Sequence, residues 1–248
     1  MILVAILIGT LLAGIGSVWL AALLGFGVLA RYTQHMLSLA AGALLATAFL
    51  HLLPEAFESG LGAHGLFIAL LCGLVFFFLL DKAELWHHGH EHHQHSPPNA
   101  GNWAVIAGDS VHCFGDGVLI ASAFMADLRL GMITAVAVLA HEVPHHMGDL
   151  IVLRAGPQTR RTAIIKVSLA GSVTALGGLL GYWLVEGLTN YLPYFLVVAS
   201  SSFIYVALAD LIPQLQKSLT ARQTAAQIAW LLAGIALVTA VGRLAPGH

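Results

Sequence analysis

Long apolar segments follow one another along the whole chain, and only short polar stretches separate them. A helix needs about 20 apolar residues to cross the hydrocarbon core of a bilayer. The pattern therefore predicts an all-α polytopic membrane protein with eight transmembrane helices in a single domain, residues 1–248. The predicted spans are 4–26, 36–57, 64–82, 103–125, 131–153, 163–187, 191–214 and 223–242. Because no basic residues precede the first span, we expect a retained helix and not a signal peptide.

The basic residues are distributed unevenly among the predicted loops. Cytoplasmic loops of membrane proteins carry an excess of Lys and Arg. The loops and span ends that follow odd-numbered spans contain eight of the ten basic residues: Arg31, Lys82, Arg154, Arg160, Arg161, Lys166, Lys217 and Arg222. The opposite side has only Arg129 and Arg243. We therefore expect the loops after odd-numbered spans in the cytoplasm and both termini outside it.

Composition agrees with an integral membrane protein. Hydrophobic residues make up 58% of the chain and charged residues only 9%, whereas a soluble domain averages roughly 25% charged residues. The expected partner is thus the lipid bilayer. A formal net charge of −2 without a basic patch argues against a nucleic-acid partner. Cys72 and Cys113 fall in different apolar segments, so no disulfide framework is indicated.

Two of the spans resemble each other. Span two contains LATAFLHLLPEAF and span seven contains IYVALADLIPQLQ. The alignment pairs His51 with Asp210, Pro54 with Pro213, and Glu55 with Gln214. By the predicted topology the two spans cross the membrane in opposite directions, which is typical of an inverted-repeat transporter. Each proline should also bend its helix beside a polar side chain.

The segment 86–100 is rich in histidine. It contains HHGHEHHQHSPP, in which six histidines occur within nine residues before two prolines. Such a tract cannot form a packed core. A purification tag has this composition, but tags stand at termini and this segment lies between spans three and four. Neutral imidazoles suit zinc, copper or nickel, so we interpret the segment as a cytoplasmic metal-binding or metal-sensing loop separate from the main site.

The main concentration of buried polarity lies in spans four and five. An ionisable side chain at membrane depth costs at least about 2.5–3.5 kcal/mol, so such residues indicate a functional site. Helical spacing predicts three stripes: Asp109, His112 and Asp116 with Cys113 at their border; His141, His145 and Asp149; and Glu142, His146 and Asp149. Carboxylates, imidazoles and a thiol are the ligands of a borderline ion such as Zn²⁺. We expect Gly115 and Gly117 to leave open space beside them.

Other functions fit parts of this pattern. Carboxylate and histidine chains also relay protons through membranes. The sequence HEVPH at 141–145 fits the H-E-x-x-H motif of zinc metalloproteases, in which two His bind zinc and Glu activates water. Pro144, however, should distort the turn that holds those two His in register, and a protease would need its third ligand elsewhere. A metal-gated channel or sensor is a further alternative.

The segments HCFGDGVLIASAF and AHEVPHHMGDLIVLRAG resemble the paired fourth and fifth helices of the ZIP family of metal transporters, in its LIV-1-like branch. Those helices typically read HNxxDG and HExPHExGD. The resemblance implies a primary site of His112, Asp116 and His145 and a second site of Cys113 and Glu142. Asp116 would bridge the two sites, with His141 nearby. It also assigns ligand positions to His51, Glu55 and Asp210. In this chain Cys113 replaces the family's Asn, and His146 replaces its Glu.

The same resemblance implies the activity. It predicts an uptake transporter, not an enzyme, that moves Zn²⁺ into the cytoplasm by alternating access, with Fe²⁺, Mn²⁺ and Cd²⁺ as alternative substrates. The metal is the transported substrate, and no separate cofactor is expected. Spans one, four, five and six would move against a scaffold of spans two, three, seven and eight, in a homodimer. We expect a prokaryotic protein of the plasma (inner) membrane.

Overall fold

The computed structural model describes residues 1–25, 33–89, 100–155, 159–215 and 220–244. Those residues form eight helices, which confirms the predicted all-α architecture. Five of them are continuous: α3, Ala63–Gly89; α4, Ala100–Ala126; α5, Leu128–Ala155; α6, Arg160–Gly187; and α8, Ala221–Leu244. The other three contain a π-helical turn: α1, Ile2–Leu11, Leu12–Gly16 (π) and Ser17–Gly25; α2, Thr33–Thr47, Ala48–Leu52 (π) and Leu53–Glu58; and α7, Leu192–Tyr205, Val206–Leu211 (π) and Ile212–Leu215.

Most of these helices have the length and composition of membrane spans. Within the described ranges, six helices are long and apolar enough to cross a bilayer, and they correspond to α1, α2, α3, α6, α7 and α8. The two remaining helices, α4 and α5, carry the predicted ligands and are not among these six. A helix satisfies every backbone hydrogen bond within the segment, which the hydrocarbon core requires.

Short polar residues determine where two helices begin. The Asp127 carboxylate accepts hydrogen bonds from the backbone N–H groups of Arg129 (2.9 Å) and Leu130 (3.1 Å), and so caps α5. The Thr159 hydroxyl accepts from the N–H of Thr162 at 3.2 Å and caps α6. The polar break between spans four and five is therefore a tight turn, and it holds α4 and α5 side by side as an antiparallel pair.

The helices pack in two sets. One set comprises α1, α4, α5 and α6, which contact one another and share an apolar cluster that includes Val18, Ile106, Met147 and Val167. In the other set, α2 packs against α8 and α7, and α3 packs against α7. Contacts between the sets run from α5 to α2 and α8, and from α4 to α7. The family resemblance implies the same division, although the largest apolar cluster joins helices of both sets.

Glycines allow the closest helix contacts. A Cβ atom on Gly177 of α6 would collide with the backbone carbonyl of Phe114 in α4, and one on Gly117 of α4 would collide with the carbonyl of Thr174 in α6. The expectation that Gly117 opens space beside the ligands is therefore wrong, because that space is filled by α6. Gly115 has no atom within 4 Å of its Cβ position, so it does leave open space.

The two similar segments share an unusual backbone feature. Each contains a π turn, Ala48–Leu52 in α2 and Val206–Leu211 in α7. In both, the residue immediately before the proline donates its N–H to the carbonyl five positions back. Proline lacks an N–H, and its ring crowds the preceding turn, so Pro54 and Pro213 account for the wider turn in the same register. This equivalence supports an inverted repeat.

Candidate metal centre

Nine polar side chains on α4 and α5 bring their ligand-type atoms together in three groups, each of which combines residues of both helices and none of which coincides with a predicted stripe. Within each group the atoms lie within 4.8 Å of one another. We name the groups after one member: the His141 group is His112, Asp116, His141 and Glu142; the Cys113 group is Asp109, Cys113, Glu142 and His146; and the Asp149 group is Asp109, His145, His146 and Asp149.

The His141 group is compact and mostly buried. His141 Nε2 lies 3.2 Å from Asp116 Oδ2 and 3.3 Å from Glu142 Oε1. His112 Nε2 lies 3.3 Å from Glu142 Oε1 and 3.3 Å from His141 Nε2. Within the described residues, Asp116 Oδ2 and Glu142 Oε1 are buried, and each faces an imidazole nitrogen at these distances without a well-aligned hydrogen bond. The four side chains therefore converge on a common point and do not pair off.

These spacings suit a tetrahedral zinc ion. Zinc bonds to N and O ligands are about 2.0–2.2 Å long, which places neighbouring ligand atoms about 3.3–3.6 Å apart. The imidazole–carboxylate distances in the His141 group fall at or near this range, from 3.2 to 3.3 Å, with one exception. His112 Nε2 lies farther from Asp116 Oδ2, at 3.9 Å. A buried carboxylate oxygen without a donor costs free energy, and a cation at the common point would remove that cost.

The Cys113 group adds a thiol to the same type of site. His146 Nε2 lies 3.0 Å from Glu142 Oε2 and 3.5 Å from Asp109 Oδ1. Cys113 Sγ lies 3.6 Å from Asp109 Oδ1 and 3.9 Å from His146 Nε2. All four residues are buried, and Cys113 and His146 have no exposed surface. Because zinc–sulfur bonds are longer, about 2.3 Å, the wider spacings around Sγ also suit a metal cage.

The Asp149 group is the most open of the three. His145 Nδ1 lies 3.5 Å from both Asp109 Oδ1 and Asp149 Oδ2. The His145 side chain keeps 37% of its surface accessible, whereas Asp109 keeps 3%. His145 Nδ1 and Asp149 Oδ2 are buried atoms that have no well-aligned hydrogen bond within the described residues. The Asp149 group therefore extends from the buried carboxylate of Asp109 to the accessible side chain of His145.

Shared ligands connect the groups in a row. Glu142 places Oε1 in the His141 group and Oε2 near His146 in the Cys113 group. Asp109 and His146 belong to both the Cys113 group and the Asp149 group. From Asp116 to Asp109 the row follows about 10 Å of the α4 axis. An ion could therefore exchange one ligand at a time between adjacent groups.

The grouping differs in two respects from the arrangement that the resemblance implies. His145 lies with Asp109 and Asp149, although its ring also stacks on His112 at 5.2 Å between centroids. Glu142, and not Asp116, is the residue shared between the His141 and Cys113 groups. His141 and His145 are one turn apart along α5, which places them at different points of the row and in different groups.

Three predicted ligands lie apart from the row or outside the described part. His51 on α2 lies near Gly242 of α8, whose Cβ position is 3.1 Å from His51 Cε1, and Glu55 is exposed. Neither belongs to the three groups. Asp210 stands in the π turn of α7, but its side chain is outside the described part of the structure. Residues 86–89 of the predicted His-rich loop continue α3 and Ala100 begins α4, so the loop is shorter than predicted, and its residues 90–99 lie outside the described part.

Two contacts of the ligands were not predicted from the sequence. The Ser17 hydroxyl of α1 lies 2.9 Å from His146 Nδ1, and His141 Nδ1 lies 3.4 Å from the carbonyl oxygen of Ala137. A ligating His usually holds its second ring nitrogen in such a bond. A single serine in an apolar span carries no sequence signal of this role, because only packing places α1 beside α5.

The protease interpretation of HEVPH requires one zinc ion between His141 and His145. In the structure these two residues belong to different groups, and His141 pairs with residues of α4. Pro144 is inside the continuous helix α5, where it removes the hydrogen bond to the carbonyl of Ala140. The geometry therefore does not match the single zinc site of a metalloprotease.

Comparison with known proteins also favours a zinc transporter over a metalloprotease. The family described as ZIP Zinc transporter matches residues 84–242. The chain is 36% identical to Zinc transporter ZIP10 of Homo sapiens over 52% of its own length and 17% of that protein. It is 29% identical to Zinc transporter ZIP13 of Pongo abelii, over 94% of its length and 76% of that protein. Zinc transporter ZIP4 of Homo sapiens is 29% identical over 77% of the chain.

The chain spans only 17% of ZIP10 and 40% of ZIP4, so these relatives contain much additional sequence. The ZIP10 and ZIP13 matches confirm the expected LIV-1-like branch. Members of the family are multi-pass membrane transporters and not enzymes. The match covers most of the chain, including every residue of the three groups, and the chain therefore belongs to the ZIP zinc transporter family.

Proposed function

We propose that this protein transports Zn²⁺ across a membrane through the row of ligands between α4 and α5. The observation that carries the proposal is the convergence of buried carboxylate and imidazole atoms in the His141 group at the spacing of a tetrahedral ion. The names of the relatives, all zinc transporters, support zinc as the substrate. Fe²⁺, Mn²⁺ and Cd²⁺ are further substrates that His and carboxylate ligands accept.

Transport requires sites that bind the ion without trapping it. Each group shares at least one ligand with the next, so an ion can form a new bond before it loses an old one. The accessible face of His145 provides an end at which the ion can regain water. By the distribution of basic residues, this end of α4 and α5 faces the cytoplasm. The family resemblance implies uptake, in which the ion would move from the His141 group toward the Asp149 group, into the cytoplasm, with both termini outside.

The two helix sets support a mechanism of alternating access. Among the described residues, the three groups draw only on α4 and α5, within the set that also contains α1 and α6. The other set touches this one through α2, α7 and α8. Sliding of one set against the other would expose the row first to one side of the plasma membrane and then to the other. We propose a homodimer as the working unit, and the loop 86–100 as a cytoplasmic metal-binding segment.

Zinc uptake into proteoliposomes tests the proposal. Vesicles containing the protein should accumulate radioactive zinc above empty vesicles and saturate with zinc concentration. Asp116→Ala should abolish most of this uptake, because it removes a ligand of the His141 group. Glu58→Gln is the matched control, since Glu58 is an exposed carboxylate at the end of α2. Wild-type uptake no higher than in empty vesicles would refute transport, and non-saturating, current-carrying flux would identify a channel.

A further inference from the structure

Ser17 is a buried hydroxyl in an otherwise apolar part of α1. It follows the π turn Leu12–Gly16 and has no exposed surface. Its Oγ lies 2.5 Å from the carbonyl oxygen of Gly14 and 2.9 Å from His146 Nδ1. A serine inside a helix commonly bonds to its own backbone, but the second contact joins α1 to a residue of the proposed metal row.

The chemistry of the two neighbours determines the direction of both hydrogen bonds. A hydroxyl has one proton to donate, and a carbonyl oxygen can only accept. Ser17 therefore donates to Gly14, and its oxygen accepts from His146 Nδ1–H. In a neutral imidazole with the proton on Nδ1, the lone pair is on Nε2. That nitrogen lies 3.0 Å from Glu142 Oε2 and within the Cys113 group.

We propose that Ser17 is a positioning residue that holds His146 in the tautomer and orientation required for metal binding by Nε2. The inference rests on the proposed function of the row. Ser17 lies on α1, outside α4 and α5, the two helices that carry the proposed ligands. It applies to this chain in particular, because His146 occupies the position of Glu in the family motif. A Glu carboxylate has no ring nitrogen that a hydroxyl could orient.

The same contact limits how many ions His146 can bind. Its Nδ1 is engaged by Ser17, so His146 has one lone pair to offer, on Nε2. The Cys113 group and the Asp149 group both depend on that residue. His146 can therefore serve only one of the two groups at a time, and an ion that leaves one group frees the ligand for the other.

Cobalt binding to the purified protein tests the inference without measuring transport. Cobalt bound to a thiolate has a charge-transfer absorption, which reports on Cys113 once exposed Cys72 is changed to Ser. In this background Ser17→Ala should weaken cobalt binding at the Cys113 group by about 10–100-fold, the usual cost of losing an outer-shell partner. The control is Ser200→Ala, which removes an equally buried hydroxyl bonded only to Leu196 O at 2.9 Å.

A second background separates positioning from a structural role. When His146→Glu is already present, Ser17→Ala should no longer lower cobalt affinity, because there is no imidazole to orient. The inference would be overturned if Ser17→Ala lowered cobalt affinity equally in the His146 and the His146→Glu backgrounds. It would also be overturned if Ser17→Ala left cobalt affinity unchanged, or if the wild-type protein showed no thiolate absorption with cobalt. If cobalt binds as expected but vesicles take up no zinc, the proposed transport function is refuted and the proposed positioning role of Ser17 is supported.

Discussion

His112 on α4 and His141 on α5 bring their Nε2 atoms within 3.3 Å of each other. The two rings meet edge to face, with 5.6 Å between their centroids. The spacing of the two nitrogens is that of adjacent ligands on one zinc ion, about 3.3 Å. Since the residues stand on different helices, a metal ion between them would also bind α4 to α5.

Removal of either imidazole should therefore weaken zinc binding strongly. Losing an outer-shell partner costs about 10–100-fold in metal affinity, and we expect His112→Ala or His141→Ala to cost at least as much. Competition titration of the purified protein with a zinc chelator measures this. His64→Ala, an exposed histidine at the start of α3, is the control and should bind zinc like the wild type. Full affinity in the His141 variant would exclude the His141 group as the zinc site.

The thiol of Cys113 should determine metal preference. Sulfur ligands favour soft ions such as Cd²⁺ over hard ions such as Mn²⁺. Cys113→Asn restores the residue of the family motif, and we expect Cd²⁺ affinity to fall about tenfold more than Mn²⁺ affinity. Uptake of each metal in competition with zinc provides the measurement, with Cys72→Ser as the exposed-cysteine control. An unchanged ratio of the two affinities would show that Cys113 does not contact the ion.

The three groups should hold two ions and not three. The His141 and Cys113 groups use different oxygens of Glu142 and can be filled together, but His146 serves only one of its two groups. Equilibrium dialysis with zinc measures the stoichiometry. The protein used should carry serine at the six histidines of the loop, since these would bind additional metal: His87, His88, His90, His92, His93 and His95. Three ions per chain in this variant would contradict the limit.

The contact between α4 and α6 should tolerate no side chain at its glycines. In Gly177→Ala the added methyl group meets the carbonyl of Phe114, so the helices must separate. Overpacking of this kind typically costs about 1–3 kcal/mol. Thermal unfolding in detergent should show the loss of stability. Gly187→Ala at the end of the same helix has no atom within 4 Å of the new methyl group and should be at least as stable as wild type. Equal melting temperatures would refute the close contact.

Most of the ligand set could be predicted because helical spacing depends on the sequence alone. Asp109, His112 and Asp116 recur at intervals of three and four residues, and these intervals place side chains on one face of any α-helix. The three groups draw on that set and on the α5 stripes. His51 and Glu55 were assigned from resemblance to other ZIP proteins, and they lie apart from the groups because α2 presents them elsewhere.

The sequence by itself determined the eight helices, the family and the faces of α4 and α5 that carry the candidate ligands. These depend on hydrophobic length and on residue spacing within a single helix. Only the tertiary structure decided how the ligands divide into groups, that Gly117 is packed against α6, and that Ser17 touches His146. Each of these depends on how far one helix is rotated about its axis and how closely it approaches another. Because lipid is as apolar as the helix surfaces, the hydrophobic effect does not determine these two quantities. Close packing of glycines and buried hydrogen bonds, and not hydrophobicity, therefore set those positions.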